Sequence, residues 1–161
     1  MEIEKKIRPD GYIELRFGPR WKYIAVVRSF IQSFMALSLE NTTKADHVAM
    51  AASELLENAV KYAAGEDITV SVNVFLKGEN LNISVSNEAS PEAVRSLQAL
   101  FQKISAGNPL DAYMTQMREA AVRKDGQSQL GLARIRYETG LDMKLKTDSG
   151  VVTIILEAGK R

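Results

Sequence analysis

Five stretches of the chain alternate apolar and polar residues with a period of two, which is typical of a strand with one buried face. In the first, Ile13, Leu15 and Phe17 alternate with Glu14 and Arg16. The later stretches come in two pairs, joined by the polar turns KGEN and DSG, and each pair predicts a hairpin. Strands are therefore predicted for residues 12–17, 68–76, 81–87, 143–147 and 151–158.

Other stretches show apolar residues at helical spacing, bounded by capping residues. The first stripe consists of Trp21, Ile24, Val27, Ile31 and Phe34. Ser90 before Pro91 and Asn108 before Pro109 each resemble a cap followed by a first-turn proline, whereas Gly65 resembles a helix end. Helices are predicted for residues 21–39, 43–64, 91–105, 109–124 and 130–140.

The order of these elements predicts an α/β two-layer sandwich. The strands alternate instead of being apolar throughout, so the sheet is expected to be covered by helices on one face only. The sequence shows no internal repeat, no low-complexity segment and no linker. Residues 1–161 are therefore predicted to form a single domain.

Composition and charge exclude several classes of function. Lys and Arg number 21 against 20 Asp and Glu, so no net field favours nucleic acid or an anionic membrane. The chain has no cysteine, and its single histidine, His47, excludes a multi-histidine metal site and is expected to be partly buried and hydrogen-bonded. No apolar run approaches the roughly 20 residues of a membrane-spanning helix. These features predict a cytoplasmic protein with no nucleic-acid or membrane partner.

The predicted second helix carries candidate chemistry on its polar side. Asn58 lies in the helix interior, where asparagine is unfavourable because it competes for backbone hydrogen bonds. Glu54, Asn58 and Lys61 share one stripe, with Tyr62 at its edge. The core side is formed by Val48, Ala52, Leu55, Ala59 and Ala63.

This polar stripe has two interpretations. An amide oxygen suits magnesium, a carboxylate can orient or deprotonate a hydroxyl, and an ammonium can neutralise phosphate, so the stripe suits a magnesium-bound triphosphate. The alternative is a solvated helix face, because charged stripes are common on surface helices. Spacing alone leaves both interpretations open.

The segment ELLENAVKYA, residues 54–63, resembles the N-box of the histidine-kinase-like ATPases. In this resemblance Glu54 falls on the catalytic carboxylate and Asn58 on the magnesium ligand, while Lys61 and Tyr62 match a KY pair near the phosphates and adenine. YIAVVRSFIQSF, residues 23–34, resembles the first helix of bacterial anti-sigma-factor serine kinases. The resemblance implies ATP and Mg²⁺ as ligands. It also implies a Bergerat-type fold with a mixed, largely antiparallel sheet.

Two glycine motifs of that family are altered. NEASP, residues 87–91, has Asn87 where the family has an aspartate that accepts a hydrogen bond from adenine, and the two family glycines are absent. Asn87 either retains an accepting amide oxygen or simply ends the strand. The second motif keeps Gly131 and Leu132 but has Gln129 in place of a glycine, with Gly126 out of register. Gly131 would let backbone N–H groups approach a phosphate, or would serve tight helix packing.

The region between these motifs corresponds to the ATP lid of relatives. Here it is a helical insert with Arg118, Arg123 and Lys124, which would either reach a γ-phosphate or lie on a solvated helix end. Two functions remain open. The first is a serine/threonine protein kinase of a partner-switching circuit, with a sigma factor or antagonist protein as partner. The second is a non-catalytic interaction module with the same fold, and the sequence leaves a homodimer open.

Overall fold

The structure, a computed structural model, describes residues 11–39, 42–78, 80–122 and 130–158. The described strands are β1 (Gly11–Phe17), β2 (Val70–Lys77), β3 (Asn80–Glu88), β4 (Asp142–Asp148) and β5 (Val151–Ala158). The described helices are α1 (Ile24–Leu39), α2 (Thr42–Lys61), α3 (Pro91–Ser105), α4 (Pro109–Val122) and α5 (Leu130–Thr139). A short 3-10 turn at Trp21–Tyr23 precedes α1. The predicted order of elements is confirmed.

The five strands form one open sheet in the order β1-β2-β3-β5-β4, and every neighbouring pair is antiparallel. The α/β sandwich is confirmed. The resemblance implies a mixed, largely antiparallel sheet, and among the described strands no pair is parallel. The chain leaves β3 through three helices, enters β4 at the far edge and returns through a hairpin as β5. The returning strand therefore lies antiparallel beside β3.

The core lies between the helices and one face of the sheet. Alternate residues of the central strands are buried there, and the intervening residues face away from the helices. This is the one-sided burial that the alternating sequence predicts. The buried strand residues are Val70, Val72, Val74, Leu76, Leu81, Ile83, Val85, Val152, Ile154 and Leu156.

The first helical stripe is only partly as expected. Ile24, Val27 and Ile31 are buried, but Met35 is the fourth buried residue of α1 and Phe34 is half-buried. Trp21 is 60% exposed. The expectation for Trp21 is wrong because this residue lies in the 3-10 turn, where the 100° step of an α-helix does not apply.

Helix α2 ends at Lys61, earlier than the predicted end near Ala64. The Ala64 N–H donates to the Glu88 carbonyl at 2.9 Å and so connects the segment after α2 to the end of β3. Ala63, expected on the core face, therefore lies beyond the helix and is only half-buried. This connection places the C-terminal end of α2 beside the NEASP segment.

The two predicted caps are confirmed. The Ala93 N–H donates to Ser90 Oγ at 3.2 Å, and the Leu110 N–H donates to Asn108 Oδ1 at 2.8 Å. Arg136 of α5 donates to the Ile104 and Gly107 carbonyls at 2.6 and 2.8 Å, which holds the α3–α4 turn against α5. None of the described helices is long and apolar enough to cross a membrane.

Candidate functional site

Helix α2 packs against α1, α5 and β3, so its sides face different surroundings. The predicted core residues Val48, Ala52, Leu55 and Ala59 are buried. Glu54, Asn58 and Lys61 are each half-buried. A fully solvated stripe would leave these side chains exposed, so the structure argues against the simple surface interpretation of this face.

Glu54 lies directly against the start of α5. A Cβ added to Gly131 would overlap with Glu54 Oε2, and Gly131 is the second residue of that helix. The absence of a side chain at position 131 therefore makes room for the carboxylate. The first turn of a helix presents unpaired N–H groups and a partial positive charge, which favours a carboxylate or a phosphate there.

The environment of Glu54 raises the pKa of its carboxyl group. Burial is the largest cause, and the negative charge of Glu57 one turn away adds to it. Arg134 of α5 and Arg28 of α1 act in the opposite direction but do not cancel the increase. A half-buried carboxylate with a raised pKa is suited to accept a proton, and such groups cluster at functional sites.

Asn58 uses its amide nitrogen locally and leaves its amide oxygen available. Its Nδ2 donates to the Glu54 carbonyl in the preceding turn at 3.1 Å. Within the described ranges, Oδ1 accepts no hydrogen bond, and no fully buried side-chain polar atom lacks a partner. The oxygen therefore keeps some contact with solvent. The hydrogen bond holds the amide nitrogen against the helix backbone and leaves Oδ1 without a partner among the described residues.

A magnesium ion would fit here only if water and phosphate oxygens supplied most of its ligands. The described part of the chain has no group of three or more His, Asp or Glu residues that could hold a metal ion. Magnesium commonly keeps several waters and takes one or two protein ligands together with substrate phosphates. A single free amide oxygen at Asn58 agrees with that mode of binding.

Lys61 and Tyr62 lie at the C-terminal end of α2. The Lys61 ammonium is 5.2 Å from the centre of the Tyr62 ring, within the range of a cation–π contact. The Tyr62 N–H donates to the Asn58 carbonyl at 2.9 Å, and the Tyr62 ring packs partly against the core. Lys61 is therefore the last residue of the helix that carries Glu54 and Asn58, and Tyr62 follows directly after it.

Asn87 lies near the end of β3 and is only 5% exposed. Its Nδ2 donates to the Glu88 carbonyl at 3.0 Å, and no described residue donates to its Oδ1. Asn87 also lines a depression of about 320 Å³ with Asp67 and Thr69, among others. The amide oxygen expected to accept a hydrogen bond from adenine is thus available, while the adenine contact itself stays a prediction.

The structure also places three further residues named in the sequence analysis. Leu132 is buried in the core, so its side chain supports α5 and only its backbone can approach a ligand. His47 is exposed, which corrects the expectation of a partly buried histidine, because its neighbours Val48 and Ala49 face the core instead. Arg118 is exposed on α4. The predictions for Arg123, Lys124, Gly126 and Gln129 fall outside the described residues.

Sequence reasoning missed Arg134, one turn after Gly131. Its Nε donates to Glu138 Oε1 at 3.0 Å, and its charge acts on Glu54 across the contact between α2 and α5. The sequence signal that could have identified Arg134 is its position three residues after Gly131, since this spacing places both residues on one side of a helix. Arg134 and, more weakly, Arg28 are described cations whose charges act on Glu54.

The described elements define an α/β two-layer sandwich with an open antiparallel sheet. No protein-family model matches the chain. No curated protein matches it either. The chain is similar to one in the crystal structure of the SiaB–SiaC complex from Pseudomonas aeruginosa, with a TM-score of 0.61 and 22% identity. The match covers 89% of this chain and 88% of that chain. At this level of identity the similarity shows a shared fold.

Proposed function

We propose that the protein is a regulator of the partner-switching type, which binds Mg-ATP and transfers phosphate to Ser or Thr of a protein partner. The observation that carries the proposal is the contact of Glu54 with Gly131, together with the free Asn58 oxygen on the same helix face. The similar chain in the SiaB–SiaC complex was solved with a second protein, which supports a protein partner here.

Each residue of the site has a distinct role in this proposal. Glu54 accepts the proton of the partner's hydroxyl, which its raised pKa favours. Asn58 would supply an oxygen ligand to Mg²⁺. The bound Mg²⁺ would neutralise charge on the phosphates. Lys61 and Arg134 add positive charge near the phosphates. The N–H groups in the first turn of α5 complete the anion site beside Gly131.

A second candidate function is an interaction module that does not transfer phosphate. It is favoured by NEASP, in which Asn87 replaces an acid, and by the half-buried position that Glu54 already occupies at the start of α5. In that case the Glu54 carboxylate itself satisfies the helix N-terminus, as a structural contact. The partner would then bind without any dependence on nucleotide.

Labelled ATP distinguishes the two functions. Purified protein is incubated with γ-labelled ATP, Mg²⁺ and a lysate of its own host cells, and labelled proteins are hydrolysed to identify phosphoserine or phosphothreonine. We expect a labelled partner with the wild type and roughly 10²–10⁴-fold slower labelling with Glu54→Gln. Glu92→Gln is the matched control, because Glu92 is an exposed carboxylate on α3 and is not among the groups that shift the pKa of Glu54.

Equal labelling by Glu54→Gln and wild type would exclude Glu54 as the base. No labelling by any form, combined with no heat in a calorimetric titration with Mg-ATP, would favour the interaction module. Circular dichroism of each variant establishes that the fold is intact. The identity of the partner, a sigma factor or an antagonist protein, follows from the labelled band.

A further inference from the structure

A groove of about 310 Å³ lies where the chain turns from α3 into α4. Small-molecule sites usually have volumes of roughly 300–1,000 Å³, so this space suits a small ligand. We call it the α3–α4 groove. It is lined by Lys103 of α3, by Gly107 of the turn, and by Asp111, Thr115 and Gln116 of α4, among others.

Gln116 brings a buried amide to this groove. The residue is only 3% exposed, yet its side chain forms no hydrogen bond with any described residue. In the described part of the chain no fully enclosed polar side-chain atom lacks a partner, so both amide atoms still touch solvent. Because Gln116 lines the groove and is otherwise covered, that solvent lies in the groove. Buried amides are normally hydrogen-bonded, so this one is available to a ligand.

Packing alone does not explain an amide at this position. Helix α4 buries Gln116 but leaves apolar side chains exposed, with Leu110 at 42%, Met114 at 38% and Met117 at 41%. An amphipathic helix that served only the core would have the opposite arrangement. The position of Gln116 is therefore an observation separate from the shape of the groove.

The α3–α4 groove also contains one charge of each sign. The Lys103 ammonium donates to Glu119 Oε1 and Oε2 at 3.0 and 2.8 Å, which uses two of its three donors and leaves one. On α4, the exposed Asp111 carboxylate pairs with no described cation. Thr115 lies four residues later, so its hydroxyl is on the same side of α4 as Asp111. A cation and an anion on two helices are complementary to a zwitterion.

The walls of the groove are held in place by the surrounding structure. Arg136 of α5 donates to the carbonyls of Ile104 and Gly107 at 2.6 and 2.8 Å. Gly107 has a φ of 66°, in the left-handed region that glycine adopts readily. Asn108 Oδ1 accepts from the Leu110 N–H at 2.8 Å and so fixes the start of α4. A preformed site loses less conformational entropy when a ligand binds.

We propose that the α3–α4 groove binds a free α-amino acid with an uncharged polar side chain. The ligand's ammonium contacts Asp111 and Thr115, and its carboxylate contacts Lys103. Its side chain exchanges hydrogen bonds with the Gln116 amide, which can both donate and accept. None of these residues belongs to the candidate site around Glu54, so the proposal does not depend on nucleotide binding or on phosphoryl transfer.

Thermal unfolding of the full chain with each of the common amino acids at millimolar concentration tests the proposal, and calorimetric titration measures the affinity of those that stabilise it. We expect a higher Tm with at least one amino acid whose side chain is polar and uncharged, because a ligand of the folded state stabilises it. The N-acetyl and carboxamide derivatives of that amino acid each lack one charge and should bind about tenfold more weakly. An unchanged Tm with every amino acid, or equal binding of both derivatives, overturns the proposal.

Gln116→Met tests the role of the buried amide, since methionine has a similar length and no amide. The variant should bind the amino acid about tenfold more weakly. Without ligand its Tm should equal or exceed that of the wild type, because no unpartnered amide is buried. Gln102→Met is the matched control, since Gln102 is exposed on α3 and does not line the groove. Unchanged affinity of Gln116→Met, an equal loss in Gln102→Met, or a clearly lower Tm of Gln116→Met overturns the proposal.

Discussion

At the scale of single residues, Glu54 is placed where its charge lowers the stability of the folded state. Its pKa is raised mainly by burial, so the ionised form is less favourable in the folded chain than in the unfolded chain. Glu54→Gln should therefore raise the Tm at neutral pH, by roughly 1–2 °C for a stabilisation below about 1 kcal/mol. A stabilising change that removes activity is typical of a functional position.

The pH dependence of that gain follows from the direction of the shift. Above the folded-state pKa, the wild type carries the full cost of the ionised carboxylate. Below the ordinary value of 4.5, Glu54 is protonated in both states and the cost is absent. The difference in Tm between Glu54→Gln and wild type should thus shrink as the pH falls through the raised pKa of Glu54 towards 4.5. A difference that grows on acidification would contradict the assigned shift.

Gly131 offers a second test at this scale. Gly131→Ala introduces a methyl group that overlaps with Glu54 Oε2, so the carboxylate must move away from α5. We expect nucleotide affinity and phosphoryl transfer to fall at least tenfold, because a displacement of about 1 Å can cost 10²-fold in rate. Gly65→Ala is the control, since no atom lies within 4 Å of the added Cβ. Equal activity of both variants would argue against the Glu54–Gly131 contact as part of the site.

The candidate site was partly accessible to sequence reasoning. Helical spacing places Glu54 and Asn58 on one face because it depends only on local geometry. The contact between Glu54 and Gly131 joins residues far apart in sequence, so it requires the packing of α2 on α5. The exposure of His47 could not be predicted for the same reason: which side of a helix is covered is decided by its neighbours.

At the scale of elements, the ends of helices were predicted best where a side chain closes the first turn. Ser90 and Asn108 are caps that the sequence shows directly, and both form their hydrogen bonds. The end of α2 was placed too late because Ala64 instead bonds to Glu88 of β3, a contact outside the helix. Local signals therefore predict a boundary only where the partner groups are local.

The cap of α3 supports a stability prediction. Ser90→Ala removes the acceptor for the Ala93 N–H and should cost about 1 kcal/mol, or roughly 2–4 °C in Tm. Ser96→Ala is the control, because Ser96 is exposed in the interior of the same helix. Thermal unfolding followed by circular dichroism measures both. A loss as large for Ser96→Ala as for Ser90→Ala would exclude the cap as the cause.

At the scale of the whole molecule, the two layers were predictable and the strand order was not. Alternation shows that each strand has one buried face, which requires a covering layer. The insertion of β5 between β3 and β4 depends on how the hairpin docks, and with it the expected largely antiparallel sheet is antiparallel at every described pair. Pairing between distant strands leaves no local pattern in the sequence.

Binding of nucleotide should stabilise the whole chain. A ligand at 100 times its dissociation constant adds about 2.7 kcal/mol if it binds only the folded state. For a chain of 161 residues this corresponds to a Tm increase of roughly 5–10 °C. Thermal unfolding with saturating Mg-ATP measures the increase. The absence of any increase at millimolar nucleotide would support the interaction module.

The dependence of nucleotide affinity on magnesium tests the central claim most directly. Calorimetric titration with ATP is performed with and without Mg²⁺, on wild type, Asn58→Ala and the control Asn82→Ala, whose residue lies on the open sheet face and bonds to Glu157. If Asn58 Oδ1 is the protein ligand, Mg²⁺ should strengthen binding to the wild type and to Asn82→Ala, with much less effect on Asn58→Ala. An equal effect of Mg²⁺ on all three proteins would contradict the account.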